Sequence, residues 1–338
     1  EAEKKKLVLN NGRIVDYDKV LIASGSNTFF PPIPGLQGKN TFGLRNLEDA
    51  HAVHNLLPQI DTVAIIGAGL VGVELAAELA QTGKKVSLIE LASHPLPLQL
   101  EDICGQKCAE LLSEAGIDLY MGEMASEVIR NDDGSPQAVK LKSGTTVAAD
   151  IVVCAAGVRP NVDFAVGTGL NINRGVLINC QCRTNLPDVF AAGDVAETND
   201  TLMSRDMPSA IWPVAVRQGK VAGSQMTGGS DEITRNTGMK AAVNVPGAHV
   251  ISIGPVTAPD GQWRKLSYYR TDSNGKERLR IVYLDQDNIL RAALLWGDVR
   301  NAGLYHEAII NKRPLSDELP SIDSLNAALR GFEELSVI

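Results

Sequence analysis

The sequence predicts an α/β protein in which a parallel sheet carries helices on both faces and a separate α+β domain follows. Two observations predict this fold. Strand-like and helix-like segments alternate between residues 63 and 160, and strand-like segments succeed one another from about Gly238 onward. The chain has 338 residues, which is enough for two or three domains.

Composition excludes several classes of protein. The apolar fraction of 44% and the charged fraction of 21% are those of an ordinary globular protein. A net charge of −8 without a basic run argues against a nucleic-acid partner. We expect no membrane span and no secretory signal, because no apolar run is long enough. Five scattered cysteines favour a reducing compartment, and hence a cytoplasmic location, over a disulfide scaffold.

The elements follow in order along the chain. Residues 1–35 hold two short strand-like runs, with a hairpin turn at Asn10-Asn11-Gly12, and then an apolar strand in "KVLIAS". A strand at Thr62–Ile66 leads into a helix over residues 70–82, and the strand "KVSLIE" follows. The remaining predicted helices cover residues 98–115, 213–226 and 299–310, and strand-like runs occupy most of the intervening sequence.

The stretch "AIIGAGLVGVELA", residues 64–76, carries the most specific motif. Gly67, Gly69 and Gly72 fit G-x-G-x-x-G between a strand and a helix, where they permit a tight turn, close approach of a pyrophosphate and close helix–strand packing. The helix N-terminus supplies N–H groups to the phosphates. A glycine-rich turn that only packs a helix on a strand is the alternative.

Glu90 identifies the dinucleotide more closely. It ends the strand that follows the helix, eighteen residues after Gly72. A carboxylate there accepts hydrogen bonds from ribose hydroxyls and repels a 2′-phosphate, which favours NAD(H) over NADP(H) and completes the motif context.

Three other buried strands end in small residues. They are "YDKVLIASGS" at 17–26, "DIVVCAAGVRPN" at 150–161 and "DVFAAGDVAE" at 188–197. Each is weak alone, because close packing or a plain turn explains it equally well. The loop after the second would emerge at the carboxyl end of the parallel sheet, where open α/β sheets bind ligands.

The order of these stretches, with "PIPG" and "WPVAVRQGKVAG", resembles the pyridine-nucleotide-disulfide oxidoreductase superfamily. It is most similar to the NADH-dependent rubredoxin reductase and nitrite-reductase flavoprotein branch. The resemblance implies two Rossmann-like, doubly wound nucleotide-binding domains, the first incomplete, and a C-terminal α+β interface domain. The implied boundaries are 1–35 for a remnant of the FAD domain, 36–160 for the NAD(H) domain, 161–236 for the second part of the FAD domain and 237–338 for the interface domain.

The resemblance also implies the cofactors FAD and NAD(H) and their contacts. The residues expected at NAD(H) are Gly67, Ala68, Gly69, Leu70, Val71, Glu74, Glu90 and Gly157. The residues expected at FAD are Ala23, Ser24, Gly25, Arg45, Gly193, Asp194, Pro213 and Ala215. No catalytic base is predicted, because the cofactors do the chemistry, and no metal site is expected.

Some roles follow from the same resemblance. Asp194 would hydrogen-bond the ribityl chain of FAD, and Arg45 stands where the family has a flavin-contacting arginine. Glu74 and Gly157 would lie near the nicotinamide. Trp212 would either cover the flavin edge or anchor a hinge.

The family begins with a further G-x-G-x-x-G that binds FAD, and this sequence shows none before residue 67. We therefore expect the pyrophosphate- and adenosine-binding half of the FAD domain to be absent from it. The chain is then a fragment, or a partner supplies that half, or FAD has been lost.

The cysteines and histidines point to packing. Cys104 and Cys108 lie on one side of a predicted helix, where the backbone geometry disfavours a disulfide between them. Cys180 and Cys182 are two positions apart on a predicted strand, so their side chains should point to the same face. Neither these thiols nor the five histidines have further potential ligands nearby in the sequence, as a metal site would require.

The sequence therefore predicts a flavoprotein oxidoreductase that passes hydride from NADH to FAD. Electrons would continue to a small rubredoxin- or ferredoxin-like carrier or to another acceptor, such as a disulfide, dioxygen or a quinone. The alternatives are an NAD(H)-binding module or truncated product without turnover, and a subunit whose FAD half lies on another chain. A homodimer is expected from the resemblance alone.

Overall fold

The structure is a computed structural model that describes residues 1–203, 205–234, 240–256, 263–271, 277–312, 314–315 and 322–330. The helices are α1 (Leu47–Leu56), α2 (Leu70–Gln81), α3 (Asp102–Glu114), α4 (Trp212–Met226), α5 (Ala302–Asn311) and α6 (Ile322–Arg330). The strands are β1 (Lys6–Val8), β2 (Ile14–Asp16), β3 (Val20–Ile22), β4 (Ser26–Thr28), β5 (Thr41–Gly43), β6 (Thr62–Ile66), β7 (Lys85–Glu90), β8 (Ile117–Met121), β9 (Ala125–Arg130), β10 (Pro136–Leu141), β11 (Thr146–Ala148), β12 (Ile151–Cys154), β13 (Val158–Pro160), β14 (Val176–Leu177), β15 (Val189–Ala191), β16 (Ala196–Asp200), β17 (Arg205–Pro208), β18 (Lys240–Val245), β19 (Ala248–Ile253), β20 (Arg264–Thr271), β21 (Glu277–Leu284) and β22 (Leu290–Trp296).

The chain divides into two compact units. The first unit joins Glu1–Asn27 to Val158–Met239, and the second joins Thr28–Gly157 to Lys240–Ile338. The second unit therefore contains both the parallel sheet and the C-terminal antiparallel sheet. The four predicted segments and the three boundaries between them stay a prediction, and the last segment extends over residues outside the described ranges.

The second unit is built on a parallel sheet with the strand order β5-β12-β6-β7-β8. Successive residues of β6 point to opposite faces, so Val63 and Ile65 enter one core cluster while Ala64 and Ile66 enter another. Burial on both faces explains why β6, β7 and β12 read as nearly continuous apolar runs.

The two faces of this sheet are covered differently. Helices α2 and α3 pack in the cluster on one face, and the antiparallel sheet β11-β10-β9 packs in the cluster on the other. The prediction of helices on both faces was wrong for the second face, because the chain between β8 and β12 forms strands there. The α/β class and the Rossmann-like parallel sheet are confirmed.

The predicted antiparallel domain is also present. Its sheet has the strand order β18-β19-β22-β21-β20, and α5 packs against it. Apolar side chains of this sheet, including Val243, Leu279 and Trp296, belong to the same core cluster as Leu112 of α3. Burial of this shared surface joins the antiparallel sheet to α2 and α3 within the second unit.

The first unit contains a two-stranded parallel sheet of β3 and β15, with α4 packed beside it. Its core contains Phe190, Val195 and Val221. The prediction that Cys180 and Cys182 lie on a strand was wrong. Only Val176–Leu177 is a strand, the chain then turns, and Cys182 is buried with a φ of 58° while Cys180 is exposed.

All five cysteines are free, and Cys104 and Cys108 are buried in α3. Burial raises the pKa of both thiols to about 12, so they remain neutral at physiological pH. Within the described ranges, no group of three or more potential ligands is arranged to hold a metal ion. Over the same residues, no helix is both long and apolar enough to cross a membrane.

Candidate functional site

Two of the three motif glycines are required by packing. Gly67 follows β6 with a φ of +107°, and a Cβ there would lie 2.5 Å from the carbonyl oxygen of Ala155. A Cβ at Gly72 would lie 1.9 Å from the carbonyl oxygen of Gly67. Both contacts are with backbone and cannot give way easily, so only glycine lets α2 pack this closely on β6 and β12.

Gly69 is different, because a Cβ at this position would meet nothing within 4 Å. Gly69 is the N-cap residue of α2 with an ordinary φ of −76°, and no side chain caps the helix there. The first N–H groups of α2, from Leu70 and Val71 onward, have no acceptor within the helix. A ligand can therefore approach the positive N-terminal end of α2 across Gly69, and this arrangement suits a negatively charged pyrophosphate.

Glu90 stands beside this loop at the end of β7. Its Oε2 accepts a hydrogen bond of 2.7 Å from the backbone N–H of Ala68, and its Oε1 accepts one of 2.9 Å from that of Ala92. Each carboxylate oxygen keeps a lone pair for a ribose hydroxyl. Glu90 therefore also positions the glycine loop, a role that sequence reasoning missed because it depends on the parallel pairing of β6 and β7.

The loop after β12 completes this edge of the sheet. The backbone N–H of Ala155 donates to the carbonyl of Ile66 at 2.7 Å, which holds this loop beside the glycine motif. Gly157 has a φ of +102°, and its carbonyl accepts a hydrogen bond of 2.9 Å from Phe29. Glu74 is exposed one turn into α2. The structure thus places the predicted NAD(H) residues at the carboxyl ends of β6, β7 and β12 and at the start of α2, within the second unit.

Most of the predicted FAD residues lie in the first unit. The parallel pairing of β3 with β15 brings Ala23–Gly25 and Ala192–Asp194 to the carboxyl ends of adjacent strands. Gly25 has a φ of +70° and Gly193 a φ of +79°, and a Cβ on either would meet no atom closer than 3.6 Å. These turns are therefore open to a ligand.

Polar contacts hold the two turns in place. Ser26 donates its hydroxyl to Asp194 at 2.8 Å, and the backbone N–H of Gly193 donates to Gln218 at 2.7 Å. The hydroxyl of Ser24 donates to the carbonyl of Asn161 at 2.8 Å, and the Asn161 amide donates back to the carbonyl of Ser24 at 2.9 Å.

Sequence reasoning missed Ser26, Gln218 and Asn161. Their partners lie between 25 and 168 positions away along the chain, so no local sequence pattern predicts these contacts. The available signal was that all three residues lie within the quoted stretches "YDKVLIASGS", "DIVVCAAGVRPN" and "WPVAVRQGKVAG".

The start of α4 lies beside the Gly193 turn, with the Cβ of Ala215 3.6 Å from the position of a Cβ on Gly193. Pro213 stands in the first turn, and no side chain caps the helix at Ile211. Trp212 is 82% exposed, so it does not act as a buried anchor.

Arg45 is the one predicted FAD residue in the second unit. Its backbone N–H donates to Asp49 at 2.8 Å, next to the capping box that Asn46 and Asp49 form at the start of α1. The carboxylate of Asp49 therefore closes the turn before α1, and Arg45 takes part through its backbone.

The family model for pyridine nucleotide-disulphide oxidoreductase matches residues 1–219. The assimilatory nitrate reductase electron transfer subunit of Bacillus subtilis is 28% identical over 94% of this chain and 39% of its own length. Rubredoxin-NAD(+) reductase of Acinetobacter baylyi is 32% identical over 88% of this chain and 73% of its own. In fold, the chain is similar to the water-forming NADH oxidase of Lactobacillus brevis bound to NADH, with a TM-score of 0.86, 19% identity, and coverage of 100% of this chain and 82% of the other.

The chain spans 39% and 34% of the length of two Bacillus subtilis relatives. The residues matched by the family model include both sets of strand ends described above.

Proposed function

The chain belongs to the pyridine nucleotide-disulphide oxidoreductase family, and from this premise we propose that it is an NADH-dependent flavoprotein oxidoreductase that delivers electrons through FAD to a small redox protein or another acceptor. The observation that supports this most is the edge of the parallel sheet where Gly69 is open, α2 is uncapped and Glu90 presents its carboxylate. The family assignment supports the predicted oxidoreductase class.

The residues of the second unit bind and orient NADH in this proposal. The N–H groups at the start of α2 bind the pyrophosphate, and Gly69 allows it to approach. Glu90 accepts from the adenosine ribose and disfavours a 2′-phosphate. Glu74 and Gly157 lie at the nicotinamide end.

The residues of the first unit bind FAD. Asp194, oriented by Ser26, accepts from a ribityl hydroxyl, while the turns at Gly25 and Gly193 admit the cofactor closely. The uncapped start of α4 presents its positive dipole end to the flavin ring in this proposal. Ala23, Ser24, Pro213 and Ala215 supply backbone contacts, while Arg45, which lies in the second unit, stays a prediction from the resemblance. When bound, the two cofactors supply the hydride and electron-transfer chemistry.

The names of two relatives support the choice of acceptor. One acts with rubredoxin, and another is an electron transfer subunit of a nitrate reductase. A small rubredoxin- or ferredoxin-like carrier is therefore the proposed acceptor, and the water-forming oxidase of the same fold makes dioxygen the competing one.

The test is the absorption spectrum of the complete gene product. We expect flavin bands that bleach when NADH is added without oxygen and return when oxidised rubredoxin is added. NADPH under the same conditions serves as the control for the role of Glu90. A flavin-loaded protein whose bands ignore NADH would refute the proposal.

A second candidate is an NAD(H)-binding module without turnover of its own. Two observations favour it. The second unit has the complete glycine loop, whereas the parallel sheet of the first unit has two strands. Binding of NADH by the purified chain without any bound flavin, and without oxidation of NADH, would support this candidate over the first.

Location and assembly complete the proposal. Five free cysteines, four of them buried, suit a reducing compartment, for which the cytoplasm is the simplest choice. The antiparallel sheet of β18–β22 is the proposed homodimer face. Light scattering that gives a monomer mass at micromolar concentration would contradict it.

A further inference from the structure

A polar cavity of about 280 Å³ lies in the C-terminal part of the second unit, away from the glycine loop in sequence. Its charged lining residues, among those that the structure describes, are Arg270, Arg278, Arg280, Arg300, Asp298 and Asp323. These four cations and two anions give the described lining residues a formal charge of +2.

Two carboxylates stand among the arginines that line the cavity. Asp298 accepts two hydrogen bonds from Arg300, at 2.9 and 2.7 Å, and also pairs with Arg278 at 3.4 Å. Arg270 approaches Asp323 only to 3.9 Å. Among the described lining residues, positive charges therefore outnumber negative ones, which favours an anion in the cavity.

Arg280 adds a buried cation at the cavity wall, with 4% of its surface exposed. Its guanidinium donates to the backbone carbonyls of Leu279, Trp296 and Asp298 and contacts the side chain of Tyr305, while its Nε has no acceptor among the described residues. Burial lowers the pKa of Arg280, and nearby Tyr305 and Asp298 offset that shift only in part. Carbonyl dipoles do not neutralise a buried guanidinium, so an anion would stabilise it.

The start of α5 opens onto the same cavity. Asn301, which lines it, is the N-cap residue of this ten-residue helix, has a φ of +70° and makes no side-chain cap. The N–H groups of Ala302 and Leu304 already donate to the carbonyls of Val299 and Asn301, so it is the positive dipole end of α5 that favours negative charge at the position that the arginines surround.

From these observations we propose that the cavity is a binding site for a small oxyanion of the phosphate type, either free phosphate or a phosphate monoester. Planar guanidinium groups match two oxygens of a phosphate in a bidentate manner, and several arginines surround a tetrahedral anion better than a single carboxylate. The site lies within one unit and does not depend on the proposed function.

The experiment titrates inorganic phosphate into the complete chain by calorimetry at about pH 7.5, where phosphate is mainly a dianion. Sodium chloride keeps the ionic strength constant. Arg270→Gln/Arg300→Gln removes two exposed cations of the cavity and is compared with Arg264→Gln. Arg264 lies on β20 like Arg270 but pairs with Asn288 and does not line the cavity.

We expect saturable binding that weakens at least tenfold in the double variant, about 1.4 kcal/mol, and is unchanged in Arg264→Gln. Thermal melts without phosphate check that all three proteins are equally folded, and phosphate should raise the melting temperature only where the cavity is intact. Glycerol 3-phosphate in a parallel titration distinguishes a monoester from free phosphate by which binds more tightly.

Two results would overturn the site. One is absence of saturable binding by the unmodified chain. The other is wild-type affinity in the double variant, which would assign any binding to another position such as the start of α2.

Discussion

The three glycines of the nucleotide loop should respond differently to the same added methyl group. Gly72→Ala places a Cβ 1.9 Å from a backbone oxygen, whereas ordinary contact begins at 3.4 Å. Gly67→Ala combines a contact of 2.5 Å with a φ of +107°. Gly69→Ala meets nothing within 4 Å at a φ of −76°. Within this one motif, Gly67 and Gly72 are therefore required for packing, whereas Gly69 is required for approach of the ligand.

The expected costs follow from these distances. Gly72→Ala should lower the free energy of unfolding by about 3 kcal/mol, at the upper end of overpacking effects. Gly67→Ala adds backbone strain of about 1–3 kcal/mol to a similar overlap. Gly69→Ala loses a preferred N-cap residue but reduces unfolded-state entropy, so its net effect should stay within about 0.5 kcal/mol. Its methyl group should nevertheless weaken NADH binding at least tenfold, about 1.4 kcal/mol.

Urea unfolding followed by circular dichroism measures the first quantity, and NADH fluorescence titration measures the second. Gly223→Ala is the matched control, because Gly223 is an exposed helical glycine of α4 with nothing within 4 Å of its Cβ position. It should gain about 0.5–1 kcal/mol of stability. If Gly69→Ala destabilises as much as Gly72→Ala, or binds NADH normally, the assignment of Gly69 to the pyrophosphate is refuted.

Three further predictions concern charged groups. Glu90→Gln leaves one backbone N–H, that of Ala68 or that of Ala92, without an acceptor, so the free energy of unfolding in urea should fall by about 1–3 kcal/mol; an unchanged midpoint would contradict the contact. Arg130→Lys removes the guanidinium whose hydrogen bonds to Gly35, Lys39 and Thr41 hold loop 35–41, so amide hydrogen exchange in that loop should accelerate while exchange in α2 stays constant. The hydrogen bond from Arg300 lowers the pKa of Asp298, so its stabilisation is present above about pH 4 and is lost as pH falls toward the folded-state pKa. The stability gap between wild type and Asp298→Asn should therefore narrow below pH 4 in acid titrations, and a constant gap would exclude this origin.

The nucleotide loop was predictable because its information is local. A buried strand, three glycines and a following helix lie within twenty residues, and steric rules for glycine act within that distance. The structure accordingly has α2 at Leu70–Gln81, close to the predicted 70–82. By contrast, α3 begins at Asp102 and not at residue 98, since apolar spacing alone does not fix where a helix starts.

The pattern around Cys180 and Cys182 shows the opposite case. Alternating apolar residues in a short segment predicted a strand, yet the segment turns and Cys182 takes a φ of 58°. Its burial against the first unit's core, with its thiol near the carbonyl of Gln218, outweighs the local preference.

The sequence by itself determined the fold class, the dinucleotide motif and its acidic partner Glu90, because periodicity and glycine sterics are properties of short segments. Only the tertiary structure decided what covers the second face of the sheet, that Glu90 holds Ala68, that Ser26 orients Asp194, and that four arginines surround one cavity. Those features join residues far apart in the chain, and hydrogen bonding, burial and charge between them arise only once packing brings them together.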